Sequence, residues 1–130
     1  MGWKFYSLDQ KAQQLVLEAK ERDRDSLNQA FKMREAVAYG LERFWGEHLR
    51  LRQKEADKSR YWKETWDVLV DLMQQAGITL PNDKVDANQD DAVKAMAQKL
   101  WQVKMEDQRV ALAVLTQLCD SLVWWTQRYK

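Results

Sequence analysis

One proline in 130 residues, Pro81, and four glycines, Gly2, Gly40, Gly46 and Gly77, leave this chain few places where it is obliged to turn. An all-β chain needs a turn signal about every ten residues, and no stretch here alternates polar and apolar residues with the period of two that a strand requires. The segments between the breakers are rich in Ala, Leu, Gln, Glu, Lys and Arg, which lose little on entering a helix. The expected fold is all-α, a compact bundle of four to five helices with one long amphipathic helix. A chain of this length buries roughly two thirds of its unfolded surface, and 45% hydrophobic residues supply a core. With no internal repeat and no composition shift, residues 1–130 read as a single domain.

Ser7 with Gln10 has the spacing of a capping box and predicts a first helix from Ser7 to about Arg22, with Ala12, Leu15, Val16 and Ala19 on one face. Ser26 with Gln29 repeats the signal. The long helix follows, carrying Ala30, Met33, Val37, Leu41, Phe44 and Leu51 at spacings of three and four and extending to about Arg60, with a kink or short turn near 57–59. The apolar stripe resumes at Trp62, Trp66, Leu69, Leu72 and Met73 and stops at Gly77, where Ile78 is placed to fold back over the helix end. Residues 79–89, containing Pro81, Asn82, Asp83 and Asn88, form the longest predicted loop. Asn88 or Asp90 caps a helix bearing Val93, Met96, Leu100 and Val103, and Asp107 opens a last helix with the broad apolar band expected of a central element.

Catalytic chemistry finds little to work with. The only histidine, His48, reads as a partly exposed helical residue, and proton shuttles or hydrolytic triads need a base positioned beside a nucleophile. Cys119, also alone, sits in an apolar run and reads as a packed small hydrophobe. No set of Cys, His or carboxylates has metal-ligand spacing, and no glycine-rich phosphate loop is present, so neither a metal, a cofactor nor an enzymatic activity is expected. Gly40 and Gly46 read as points of close helix packing. No run approaches eighteen apolar residues, and the start, Met1 to Tyr6, lacks the apolar stretch of a leader; a cytoplasmic protein without membrane contact is expected.

Charge is the informative feature. The net charge is only +1, but between His48 and Lys63 the cations Arg50, Arg52, Lys54, Lys58, Arg60 and Lys63 face only Glu55 and Asp57. On a continuous helix Arg50, Lys54 and Lys58 would line one face, with Tyr61 next along it and Arg43, Arg34 and Lys32 as extensions. Such a face suits a phosphate backbone, and Tyr61 or Trp62 could stack a base. An amphipathic helix also carries a solvated charged face as a matter of course, for which Glu47, Glu55 and Asp57 are ordinary partners. Of the seven tryptophans, Trp45, Trp62, Trp66 and Trp101 have core spacing, whereas the adjacent Trp124 and Trp125 cannot face the same neighbour; one of that pair is a candidate partner contact.

The segment Leu72-Met73-Gln74-Gln75-Ala76-Gly77-Ile78 and the closing stretch Ala111 to Lys130, with Trp124, Trp125 and Arg128, resemble the small subunits of CRISPR effector complexes of the Cascade, Csm and Cmr kinds, over about a quarter of the chain. The resemblance implies a non-catalytic helical-bundle protein, present in several copies. Such a protein contacts the target strand, the displaced single strand or the guide duplex without reading sequence and bridges other subunits. The residues that would do so here are the basic set above, assigned from charge spacing. A helical adaptor or oligomerisation module that binds protein and not nucleic acid is the alternative.

Overall fold

The computed structural model describes residues 5–130; Met1 to Lys4, the start of the segment contrasted above with a leader, lie outside the described residues. Six α-helices and two 3-10 turns make up the described chain, and there are no strands among the described residues. Among the described residues no helix is long and apolar enough to cross a membrane.

Helix α1 spans Phe5–Arg22 and is already under way at Phe5, so Ser7 lies inside it and does not cap it. Its buried stripe is Leu8, Ala12, Leu15, Val16 and Ala19. The signal at Ser26 also resolves differently. The cap is Asp23, whose carboxylate accepts from the Asp25 amide (3.2 Å) and the Ser26 hydroxyl (3.0 Å) at the start of a 3-10 turn, Arg24–Asn28. Gln29, the other half of that signal, is buried and accepts the Trp62 indole N–H at 2.9 Å.

The expected long helix is three pieces. Helix α2 (Gln29–Ala36) tightens into a 3-10 turn (Val37–Tyr39), the chain breaks at Gly40, and α3 runs from Leu41 to Leu51. Residues 52–55 then reverse the chain into α4 (Ala56–Gln75), so the turn falls a few residues before the predicted 57–59. Gly40 has φ +97 and ψ 175, a conformation that side-chain-bearing residues avoid, while a Cβ built there would touch nothing within 4 Å. Its role is therefore conformational and not close packing. Gly46 sits within α3, where a Cβ would meet only the flexible end of Glu42 at 3.2 Å, so it makes no close helix contact either.

At Gly77 (φ +83) the expected stop is present: the Ile78 amide donates to the Met73 carbonyl (2.9 Å), the Gly77 amide to Gln74 (3.0 Å), and Ile78 packs on the core. The loop over 79–89 is pinned by buried Leu80 and Val85 and laced by polar contacts. Arg52 donates to the Val85 carbonyl (3.1 Å) and pairs with Asp86 (3.2 Å), Lys63 reaches Asn82 (3.0 Å), and Lys99 pairs with Asp83. Helix α5 is Asp90–Trp101; Gln89 occupies its cap position without a side-chain bond, while Asp90 and Asp91 stand in the first turn, where the helix dipole favours them. Val103 falls outside α5, in a sharp turn sealed by the Gln108 side chain donating to its carbonyl (2.6 Å), and α6 starts at Met105 and ends at Tyr129.

Helix α6 lies along both α1 and α2 and touches α4, so it is central as expected, while α3 and α4 form a hairpin with α5 against α3. The hairpin is closed by aromatic packing, with Phe44 4.9 Å from Trp62 and 6.4 Å from Trp66, and by the Ser59 hydroxyl donating to the His48 carbonyl at 2.6 Å. Trp45, Trp62 and Trp66 are fully buried as predicted; Trp101 is not, at 64% exposed.

The two glycines predict opposite responses. Gly40→Ala should lower stability by about 1–3 kcal/mol through backbone strain, whereas Gly46→Ala, in a helix interior with room for a methyl group, should raise it by about 0.5–1 kcal/mol. Thermal or urea unfolding of the two variants reads both signs.

Candidate nucleic-acid interface

The basic residues sit on the α3–α4 hairpin, and the turn at 52–55 decides how they are displayed. Arg50 belongs to the last turn of α3, Arg52 and Lys54 to the reversal, and Lys58, Arg60 and Lys63 to the first two turns of α4. The single helical face on which Arg50, Lys54 and Lys58 were expected to align does not exist. What the hairpin brings together instead is a set of ion pairs.

Arg50 holds Glu47 through two bonds of 2.8 Å each, which keep its guanidinium protonated even more firmly than usual. Lys58 pairs with Glu55 (3.1 Å), Arg60 with Glu64 (3.1 Å), Lys63 with Asp67 and Arg52 with Asp86. Of the six cations only Lys54 has no carboxylate partner among the described residues, and it shares a shallow depression with Asp23, Asp25, Glu55 and Asp57. The formal charge of the segment is thus largely compensated by acids outside it, Glu47, Glu64, Asp67 and Asp86. Exposed pairs of this kind are worth only about 0–1 kcal/mol each. Arg50 and Arg60 remain solvent-facing, with side chains 64% and 63% exposed.

The extensions divide. Arg34 pairs with Asp120 of α6 at 2.7 Å, a partner 86 residues away that no local pattern could reveal. Arg43 lies 5.1 Å over the ring of Tyr39, which is exposed, and Lys32 is exposed with no ion pair among the described residues. The aromatic partners expected for bases are placed otherwise: Tyr61 and Trp62 are both buried, because α4 is covered by α3 on one side and by α1 and α6 on others. Burial raises the Tyr61 hydroxyl well above its usual range.

Trp124 and Trp125 remain in contact, their ring centroids 5.5 Å apart and tilted by 36°, and they share Arg128 as a neighbour, contrary to the expectation that they could not; they differ in exposure. Trp125 turns inward, its indole N–H donating to Asp9 of α1 at 3.0 Å and its ring stacked on Tyr129 at 5.8 Å, while Trp124 is 55% exposed. Arg128 lies over both rings. Reasoning from sequence missed Tyr39, whose signal was its position against the Gly40 break, and the exposed corner formed by Trp101 and Met105 at the α5–α6 turn.

The residues weighed for chemistry are both interior. Cys119 is buried, and burial pushes its thiol up to about 12, so at neutral pH it packs as an uncharged side chain. His48, expected partly exposed, is 5% exposed, with its Nδ1 on the Trp45 carbonyl and its ring edge-on to Trp45 at 5.3 Å. It continues the α3 stripe of Leu41, Phe44 and Leu51. Among the described residues no group of three His, Cys, Asp or Glu side chains converges to hold a metal ion.

Burial, reinforced by Lys63 and Arg52 and opposed by the Trp45 carbonyl and Asp67, lowers the His48 pKa below 6.5. The unfolded chain therefore takes up this proton first as pH falls. The stabilising contribution is complete above about 6.5 and is lost progressively below it. Thermal midpoints should drop between pH 7.5 and 5.5, and His48→Gln should flatten that part of the profile.

No family model matches the chain, and neither the curated proteins nor the solved structures contain a match to it.

Proposed function

We propose that this protein is a non-catalytic helical subunit of a nucleoprotein assembly, of the CRISPR small-subunit kind that its helix stop at Gly77 and its closing helix resemble. In this reading it acts in the cytoplasm, lies along nucleic-acid backbone without reading sequence, and meets neighbouring subunits, including copies of itself, through the exposed corner of Trp101 and Met105. The observation that carries the proposal is the display on one hairpin of Arg43, Arg50, Arg52, Lys54 and Arg60, all exposed. Arg43 and Lys54 have no carboxylate partner among the described residues, and the other three cations are themselves exposed, so a phosphate can compete for them.

A second reading is favoured by a different observation. Because five of the six central cations already have carboxylates, the hairpin presents little net field to steer a polyanion, and the exposed Trp124 and Trp101 would then serve a helical adaptor that binds protein alone.

Salt dependence separates the two. If phosphates displace the carboxylates from all six cations, log affinity for a single-stranded oligonucleotide should fall against log salt with a slope of about −4. If the ion pairs persist and only Lys32, Arg43 and Lys54 contribute, the slope should be about −2. Reversal of Arg50, Lys54 and Lys58 to Glu should abolish binding in the first case and weaken it severalfold in the second. A chain that ignores both DNA and RNA at low salt yet self-associates would favour the adaptor.

A further inference from the structure

Three cations at the C-terminal end of α6 have aromatic rings and not carboxylates as partners, as Arg43 has on the hairpin, and Lys130 also donates to the Asn28 side chain at 2.7 Å. Arg128 lies 5.6 Å over Trp124 and 6.0 Å over Trp125, Lys20 of α1 lies 5.8 Å over Tyr129, and Lys130 lies 5.5 Å over Phe31 of α2. None of the three has an ion pair among the described residues. A ring holds a cation in place without neutralising it, so their charge remains available.

The acids nearby are committed. Asp120 is paired with Arg34, and Asp9 accepts from the Trp125 indole and the Ser121 hydroxyl. The carboxyl end of α6 contributes about half a negative charge from its dipole. Neither Asp9 nor Asp120 is within ion-pair distance of Arg128, Lys20 or Lys130, so these three cations are not directly neutralised. Trp124 is exposed and lines, with Asp120, Val123, Gln127 and Arg128, a shallow depression of about 520 Å³.

We infer that this end of α6 is a stacking site for single-stranded nucleic acid, with a base against Trp124 and the adjoining phosphates at Arg128 and Lys130. An exposed indole beside uncompensated cations matches the two components of sequence-tolerant single-strand binding, a π face for any base and positive charge for the backbone. A duplex hides its base faces and offers Trp124 nothing to stack. The inference rests on the nucleic-acid reading proposed above and moves its anchor from the hairpin to α6.

The test uses the full chain with fluorescently labelled oligo-dT and oligo-U at low salt, comparing Trp124→Ala, Trp124→Phe and Arg128→Ala with a hairpin variant, Arg50→Glu with Arg60→Glu. Trp124→Ala should weaken binding tenfold or more, the size of loss that removing a stacked base produces. Trp124→Phe should recover most of it, and the hairpin variant should change it far less. Because Trp124 is exposed, unchanged circular dichroism is expected for both substitutions. Equal binding by wild type and Trp124→Ala, with loss in the hairpin variant, would overturn this inference and leave the nucleic-acid reading standing on the hairpin. Failure of the wild-type chain to bind either oligonucleotide would overturn both, and Trp124-dependent self-association in sedimentation would then make the face an interface between copies.

Discussion

Phe44, Trp62 and Trp66 meet between α3 and α4, and the arrangement of the surface follows from that contact. Large aromatic side chains dominate core energetics, each burying some 150–250 Å², and bringing these three together requires the chain between Leu51 and Ala56 to reverse in four residues. The reversal distributes the basic residues over a hairpin, puts Arg52 within reach of the 79–89 loop and leaves Arg50, Lys58, Arg60 and Lys63 each paired with an acid one turn away, with Lys54 unpaired among the described residues. Trp62 reaches further, tying α4 to α2 through Gln29. The charge pattern is thus a consequence of how the core closes.

Sequence periodicity reports which side chains share a face, and it did so well here. The buried stripes of α1 and α4 are those the spacing indicates, that of α6 is too except that Val110 is 40% exposed and Trp125 only partly buried, and the stop at Gly77 was legible because all its contacts lie within six residues. Periodicity is silent on whether the backbone between two apolar residues is continuous. Val37 and Leu41 keep a spacing of four across the break at Gly40, so a 3-10 turn and a glycine with positive φ passed for helix. His48 was the opposite case: its place in the α3 stripe was visible, but its polarity argued against burial. Trp101 suggested core by its spacing, yet α5 turns Met96, Ala97 and Leu100 inward, and the residue after Leu100 points away from that side.

The candidate site was less legible than the fold, for a physical reason. A cation's net effect depends on its counterions, and Arg34 and Arg52 find theirs 86 and 34 residues away, on elements that local spacing cannot bring near. Runs of positive charge in a sequence therefore overstate the field that a folded surface presents. Within the basic run only Lys54 stays without a carboxylate among the described residues, and Arg43, Arg128, Lys20 and Lys130, which lie outside it, have rings as partners.

The lacing of the 79–89 loop has a consequence of its own. Its apolar anchors, Leu80 and Val85, are indifferent to ionic strength, whereas Arg52, Lys63 and Lys99 hold it through exposed polar contacts. Two of these three ties begin on the hairpin's cations, so any anion that claims Arg52 or Lys63 also unfastens one edge of the loop. The loop keeps Leu80, Val85 and the Asn82–Asp67 hydrogen bond whatever happens at the cations, so only its charged edge answers to what the hairpin binds.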